Sequence, residues 1–284
     1  MTDTSLPGPA SAPASAPASV PASARPSARP RRFKTVRTVT ALVLREMTTT
    51  YGRSPGGYVW AVLDPIGGIV MLSVVFSFLI NKPALGTNFS LFYATGFLPF
   101  MMYTDLAAKI MGAIQFSRPL LAYPGVTWLD AVLGRFILNA LTQVAVFCLV
   151  CGGIVVLFRT GAILDMVAIL NALAMTAALG LGIGTLNCFL GEVFAVWRTV
   201  WSILNRPMFI ISGVFFLYDA MPRIARDVLW YNPLTHVIAE MRRGFYGTYD
   251  PGFVTPLYVY GFALVSLVFG MVFLSRYHRD ILNN

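Results

Sequence analysis

An all-helical integral membrane protein is the fold class predicted by three features of this 284-residue chain. It is 57% hydrophobic and only 12% charged, about half the charge of an average soluble domain. Mean hydropathy is +0.70. Six apolar stretches, 58–80, 91–113, 131–158, 163–190, 200–218 and 255–274, run along it. At 1.5 Å rise per residue, about 20 residues cross a hydrocarbon core about 30 Å thick. The prediction is six transmembrane helices, an N-terminal amphipathic interfacial helix and short outer re-entrant helices before the last span.

Each element has its own reason. Residues 1–30 are an Ala/Pro/Ser repeat, too poor in apolar side chains to offset their ordering entropy, so a disordered tail is expected. The repeat lacks the apolar centre of a secretory signal. A twin-arginine signal at Arg31-Arg32-Phe33 is rejected because Arg37, Arg45 and Glu46 interrupt the stretch after it. The basic segment 31–53 predicts a helix on the membrane surface. At 100° per residue, Phe33, Val36, Val39, Val43, Leu44, Met47 and Tyr51 share one side. Lys34, Arg37, Thr38, Arg45, Thr48 and Thr49 take the other, with Leu42 the exception. The six-span domain is 54–284. Its first span carries interfacial Tyr58 and Trp60, then Asp64-Pro65. The second holds Asp105 and Lys109 at i, i+4, placed to pair at the cytoplasmic end. The fourth has Gly180, Gly182 and Gly184, a surface for close helix packing. Within 219–254, two short amphipathic pieces, 221–230 and 234–246, are split by Asn232-Pro233. Pieces of about 10–14 residues do not span and read as re-entrant or interfacial.

Charge sets the orientation. Net charge is +9, and Arg25, Arg29, Arg31, Arg32, Lys34, Arg37, Arg45 and Arg53 all precede the first span. The positive-inside rule then puts the N-terminus in the cytoplasm, and six spans return the C-terminus, with Arg276 and Arg279, to the same side. Beside a bilayer span this basic segment reads as attraction to anionic lipid rather than to nucleic acid. Other classes are disfavoured. No G-x-x-x-x-G-K-[ST] loop occurs, so nucleotide hydrolysis belongs to another chain. Cys148 and Cys151 have C-x-x-C spacing but no His or further Cys beside them, so they read as small buried hydrophobes and no metal site is expected. His236 and His278 are far apart, and no cofactor or embedded catalytic site is expected; His236 reads as a structural hydrogen-bonder. A secondary transporter, the competing class, would show an internal repeat and mid-membrane carboxylates; no clear repeat appears and such carboxylates are few.

Three segments carry a resemblance. The first is Tyr51-Gly-Arg-Ser-Pro-Gly-Gly-Tyr-Val-Trp-Ala-Val-Leu-Asp-Pro65. The second is Arg206-Pro-Met-Phe-Ile-Ile-Ser-Gly-Val-Phe-Phe216. The third is Trp230-Tyr-Asn-Pro-Leu-Thr-His-Val-Ile-Ala-Glu-Met-Arg-Arg-Gly-Phe-Tyr246. In order and spacing, over about 33–284, they resemble the membrane subunit of ATP-binding-cassette polysaccharide exporters, the capsule-export permease family. The resemblance implies a homodimer in a bacterial inner membrane, served by two copies of a separate ATPase that binds ATP and Mg. It implies export of a lipid-linked acidic polysaccharide, with periplasmic or outer-membrane partners carrying the polymer onward. O-antigen and teichoic-acid exporters share this plan and remain open alternatives.

A sugar path needs aromatic faces and hydrogen-bonding or cationic groups. Tyr93, Phe97 and Phe100 fall at i, i+4, i+7 with Tyr103 at the edge of the stripe. The resemblance places spans one, two and five around the path, adding Tyr58, Trp60, Phe209, Phe215 and Phe216. Asp64 and Arg206 are intramembrane ionisable groups, which default to a functional reading. Arg242 and Arg243 are placed to meet an emerging anionic polymer. Two cytoplasmic connections present docking knobs for an ATPase: Arg118, Leu121, Tyr123 and Pro124 in one, Glu192, Phe194 and Trp197 in the other.

Overall fold

Strong caps start the helices that enter the bilayer. In the computed structural model the Asn88 side chain accepts from the amides of Ser90 and Leu91, and Asp165 accepts from Val167 and Ala168. Thr127 and Asp130 form a reciprocal capping box. Each satisfies amides that the first helical turn leaves without partners. The structure describes residues 34–48, 57–80, 82–121, 126–160 and 164–283. The expected tail 1–30, the first residues of the basic segment, the start of the 51–65 motif, and Tyr123 and Pro124 lie outside the described residues. So does the side chain of Tyr58.

The helices are α1 (Lys34–Glu46), α2 (Gly57–Leu79), α3 (Phe89–Met111), α4 (Ala113–Leu121), α5 (Trp128–Leu157), α6 (Met166–Val193), α7 (Trp197–Ile211), α8 (Arg223–Trp230), α9 (Pro233–Phe245) and α10 (Pro256–Asn283). No strand occurs among the described residues. Five helical segments are long and apolar enough to cross a membrane: Val59–Leu79, Phe89–Leu121, Trp128–Leu157, Met166–Val193 and Pro256–Tyr277. The stretch 200–218 differs from expectation. Its helix, α7, has 15 residues and is about 22 Å long at 1.5 Å per residue. Beyond it the chain unwinds over 212–217 before a short 3₁₀ turn at Tyr218–Ala220.

Thr35–Asn284 packs as one unit around α6. The glycines singled out in the sequence make that possible. A Cβ on Gly180 would sit 2.7 Å from Leu106, and one on Gly184 would sit 2.8 Å from Ile110, so both glycines seat α3. Gly182 faces the other way, against the Ala263 backbone carbonyl of α10, and Gly270 of α10 returns the contact on Leu186. Small residues let the helix backbones approach, as packing in lipid requires. By contrast α2 is peripheral, with Val59, Leu63, Val70, Met71 and Phe78 all exposed.

On α1 the packing face is not the one the helical wheel favours. Leu42 lies against Gly134 of α5, and Glu46 is buried in an ion pair with Arg135 (3.1 Å). Leu44 and Met47 are exposed. The docked stripe is therefore Val39, Leu42 and Glu46. One buried ion pair shifts it off the apolar centre of the wheel.

Candidate functional site

The unwound segment after α7 is the chemically unusual part of the molecule. Gly213 adopts φ +84°, a left-handed conformation that favours glycine. Ser212, Gly213 and Val214 are buried. Buried non-helical backbone must find its hydrogen-bond partners within the protein. Arg242 of α9 supplies this: Nη1 donates to the Phe216 carbonyl (2.8 Å) and Nη2 to the Val214 carbonyl (2.9 Å). Its guanidinium lies 4.2 Å from the Phe92 ring centroid, a cation–π contact. Full burial pulls its pKa down to about 10, so it keeps its charge at neutral pH. This corrects the expectation that Arg242 meets polymer: both carbonyl contacts point inward. Arg243, the one exposed residue of α9, pairs with Glu240 (3.4 Å). Glu240 also accepts from Asn171 of α6 (3.1 Å).

His236 behaves as a structural hydrogen-bonder. The Thr255 amide donates to its Nδ1 (3.2 Å), which leaves Nε2 to donate to the Trp230 carbonyl (2.8 Å). Burial pushes its pKa below the usual value.

Aromatic residues of α2, α3 and the α7 region come together. Phe209 of α7 lies 5.8 Å from Phe97 and 5.0 Å from Phe100, ring centroid to centroid. Phe215 stands 5.0 Å from Phe209 and 5.6 Å from Phe76. Phe76, which also lies 5.2 Å from Tyr93, was missed in the sequence because α2 is apolar on every side. This cluster packs within the core. Tyr93, Phe100 and Tyr103 are buried, so within one chain they hold helices together rather than face an open path. Phe216 is half-buried, and Arg206 is exposed on α7.

Trp60 and Asp64 differ from the rest. Trp60 is 65% exposed and Asp64 is exposed. They open on a groove of about 230 Å³, also lined by Asp105 and Gln143. Asp105 does not pair with Lys109. It accepts from Gln143 Nε2 at 2.6 Å, because α5 packs against α3 here and offers a nearer donor.

Just beyond the groove, past the same end of α3, the two predicted docking connections meet. Arg198 of α7 donates to Gln115 of α4 and, at 3.0 Å, to Glu192 at the end of α6. Trp197 Nε1 donates to Asn187 (3.0 Å). Arg135 donates to the Lys109 carbonyl (2.7 Å) and lies 4.1 Å from the Phe116 ring. Phe194 is left 54% exposed. Arg118 is exposed, and Leu121 is half-buried against the smaller core cluster. Arg198 and Gln115 escaped the sequence reading, since a contact across 83 residues leaves no local signal.

The comparison that decides the family spans these elements: the ABC-2 type transporter model matches residues 37–246. The chain belongs to the ABC-2 type transporter family. The match runs from α1 through α9 and so includes the bend, its arginine and the cluster around Arg198. This ABC-2 chain is 28% identical over 237 residues to the polysialic acid transport protein KpsM of Escherichia coli, covering 82% of this chain and 91% of KpsM. It is 25% identical to the capsule polysaccharide export inner-membrane protein CtrC of Neisseria meningitidis serogroup B, over 86% of this chain and 92% of CtrC. It is also 25% identical to the capsule polysaccharide export inner-membrane protein BexB of Haemophilus influenzae, over 86% of this chain and 92% of BexB.

Proposed function

We propose that this chain is the membrane subunit of an ATP-driven exporter that moves a lipid-linked acidic polysaccharide, of capsular type, across a bacterial inner membrane. The supporting observation is likeness over more than four-fifths of the chain to KpsM, CtrC and BexB. Two copies of the chain enclose the path, and two copies of a cytoplasmic ATPase bind ATP and Mg. The chain contributes no catalytic group.

In this reading α7 and the unwound 212–217 segment together make the fifth of six spans. Both termini are cytoplasmic, α1 lies along the inner surface, and α8 and α9 form the outer re-entrant pair. Trp60, Asp64 and Arg206, exposed in the single chain, line the path where the two copies face each other. Phe97, Phe209, Phe215 and Phe216 sit behind them, with Arg243 at the exit. The α4 and 192–198 segments, tied together through Arg198, receive the ATPase.

The test is reconstitution with a co-expressed ATPase. Export predicts stable co-purification and hydrolysis that rises when lipid-linked capsular polymer is added. Polymer release from vesicles of the chain alone, with no nucleotide, would instead establish an ATPase-independent transporter.

A further inference from the structure

Four helices meet at one guanidinium, that of Arg135 near the start of α5. Its Nε donates to Glu46 at the end of α1 (3.1 Å), and Nη1 donates to the Lys109 carbonyl near the end of α3 (2.7 Å). The guanidinium lies 4.1 Å from the Phe116 ring centroid of α4, a cation–π contact. Arg45 of α1 brings a second cation to 5.5 Å from the same ring. The surroundings are close-packed. Leu42 of α1 rests against Gly134 of α5, and a Cβ on Gly112, between α3 and α4, would fall 3.3 Å from Arg135 Nη1. A planar fork suits such a junction, because it can serve a carboxylate, a carbonyl and a ring at once.

A second arginine holds the preceding residue of α4 from a different helix. Arg198 of α7 donates to Gln115 and pairs with Glu192 at the end of α6 (3.0 Å). The two attachments are unequal. The Arg135 and Glu46 side chains are 11% and 5% exposed, against 36% and 17% for Arg198 and Glu192. Surface ion pairs contribute little, whereas a buried charge that loses its partner is strongly destabilising. A shift of α4 therefore separates Gln115 from Arg198 before it separates Phe116 from Arg135.

We propose that Arg135 is a positioning residue that locks α1 and α4 to each other, and that the Arg198 contacts are the ones that yield when α4 shifts. The lock rests on contacts within the chain. Its consequence rests on the transporter reading above: an ATPase engaging α4 also displaces α1. Hydrogen exchange read by mass spectrometry on the full-length chain in detergent tests the lock without any ATPase. Glu46→Ala, a change on α1, should speed exchange in α4 by about threefold or more, the size expected of residues that share a partner. The same change in an Arg135→Met chain should add nothing to α4. Arg198→Ala should speed exchange over 192–198 and leave α1 as it was. An α4 that ignores Glu46→Ala overturns the lock, and so does a Glu46 effect that persists without Arg135. Loosening of α1 in Arg198→Ala overturns the order of yielding. If Arg135→Met fails to fold, the response of α4 to Glu46→Ala decides alone. With the ATPase present, Arg135→Met should still co-purify but lose the stimulation of hydrolysis by polymer. Loss of both in parallel makes the residue purely structural and overturns the positioning role. An ATPase that does not bind the parent chain sinks the transporter reading, and the exchange data still decide the lock.

Discussion

Arg242 shows how one side chain makes an irregular backbone tolerable inside a membrane protein. Its fork reaches two carbonyls of the bend, Val214 and Phe216, that helix geometry leaves without donors. Gly96 lies so close that an added Cβ would fall 3.2 Å from the guanidinium, which leaves the fork little room to turn. Replacing Arg242 by Met strands two buried acceptors at about 1–3 kcal/mol each. The expected outcome is a large drop in thermal stability in detergent, with partial recovery in Arg242→Lys, whose single ammonium cannot span both carbonyls. An unchanged melting temperature would show that the bend holds without its clamp. His236 makes a pH prediction. Burial holds its folded pKa below the ordinary value of about 6.5, so the folded state binds fewer protons than the unfolded state as pH falls. Its contribution to stability is complete above about 6.5 and is lost as pH drops through that value toward the folded pKa. Protonation at Nδ1 would also break the Thr255 bond. Thermal melts should therefore weaken between neutral and mildly acidic pH, and His236→Gln should flatten that slope.

At the scale of elements, α6 is the post on which the others hang. Its Gly182 faces a backbone carbonyl of α10 that cannot swing aside. Gly182→Ala should destabilise by about 1–3 kcal/mol, the usual range for overpacking. Gly261→Ala, where a Cβ meets nothing within 4 Å, serves as the control and should leave the melting temperature near the parent value. Arg198 joins α4 to the end of α6. Phe194 protrudes beside that joint. Phe194→Glu is expected to leave insertion and folding intact while abolishing co-purification with the ATPase. Retained co-purification would move the docking surface elsewhere.

For the whole molecule, the proposed topology predicts that a cysteine placed at residue 30 and one placed after Asn284 label from the cytoplasmic face only. Labels on opposite faces would remove the sixth crossing and make α7 a hairpin arm rather than part of a span. Much of the fold is legible in the sequence. Five of the six apolar stretches coincide with span-length helices, the Asn232-Pro233 break separates α8 from α9, and Gly180 and Gly184 pack closely on α3 while Gly182 turns to α10. The candidate site is legible in part. Phe97, Phe100 and Phe209, read in the sequence as path lining, pack against one another, whereas Arg242, assigned to solvent and polymer, is buried and Asp105 prefers Gln143 to Lys109. By itself the sequence determined that the chain folds as helices in a bilayer, because apolar length and the need to satisfy every backbone group in lipid leave an all-helical chain few alternatives. Only the tertiary structure decided which polar groups are spent on the fold and which stay free. Helical periodicity sets a side chain's angle around its own axis, while its partner depends on where the neighbouring axes lie.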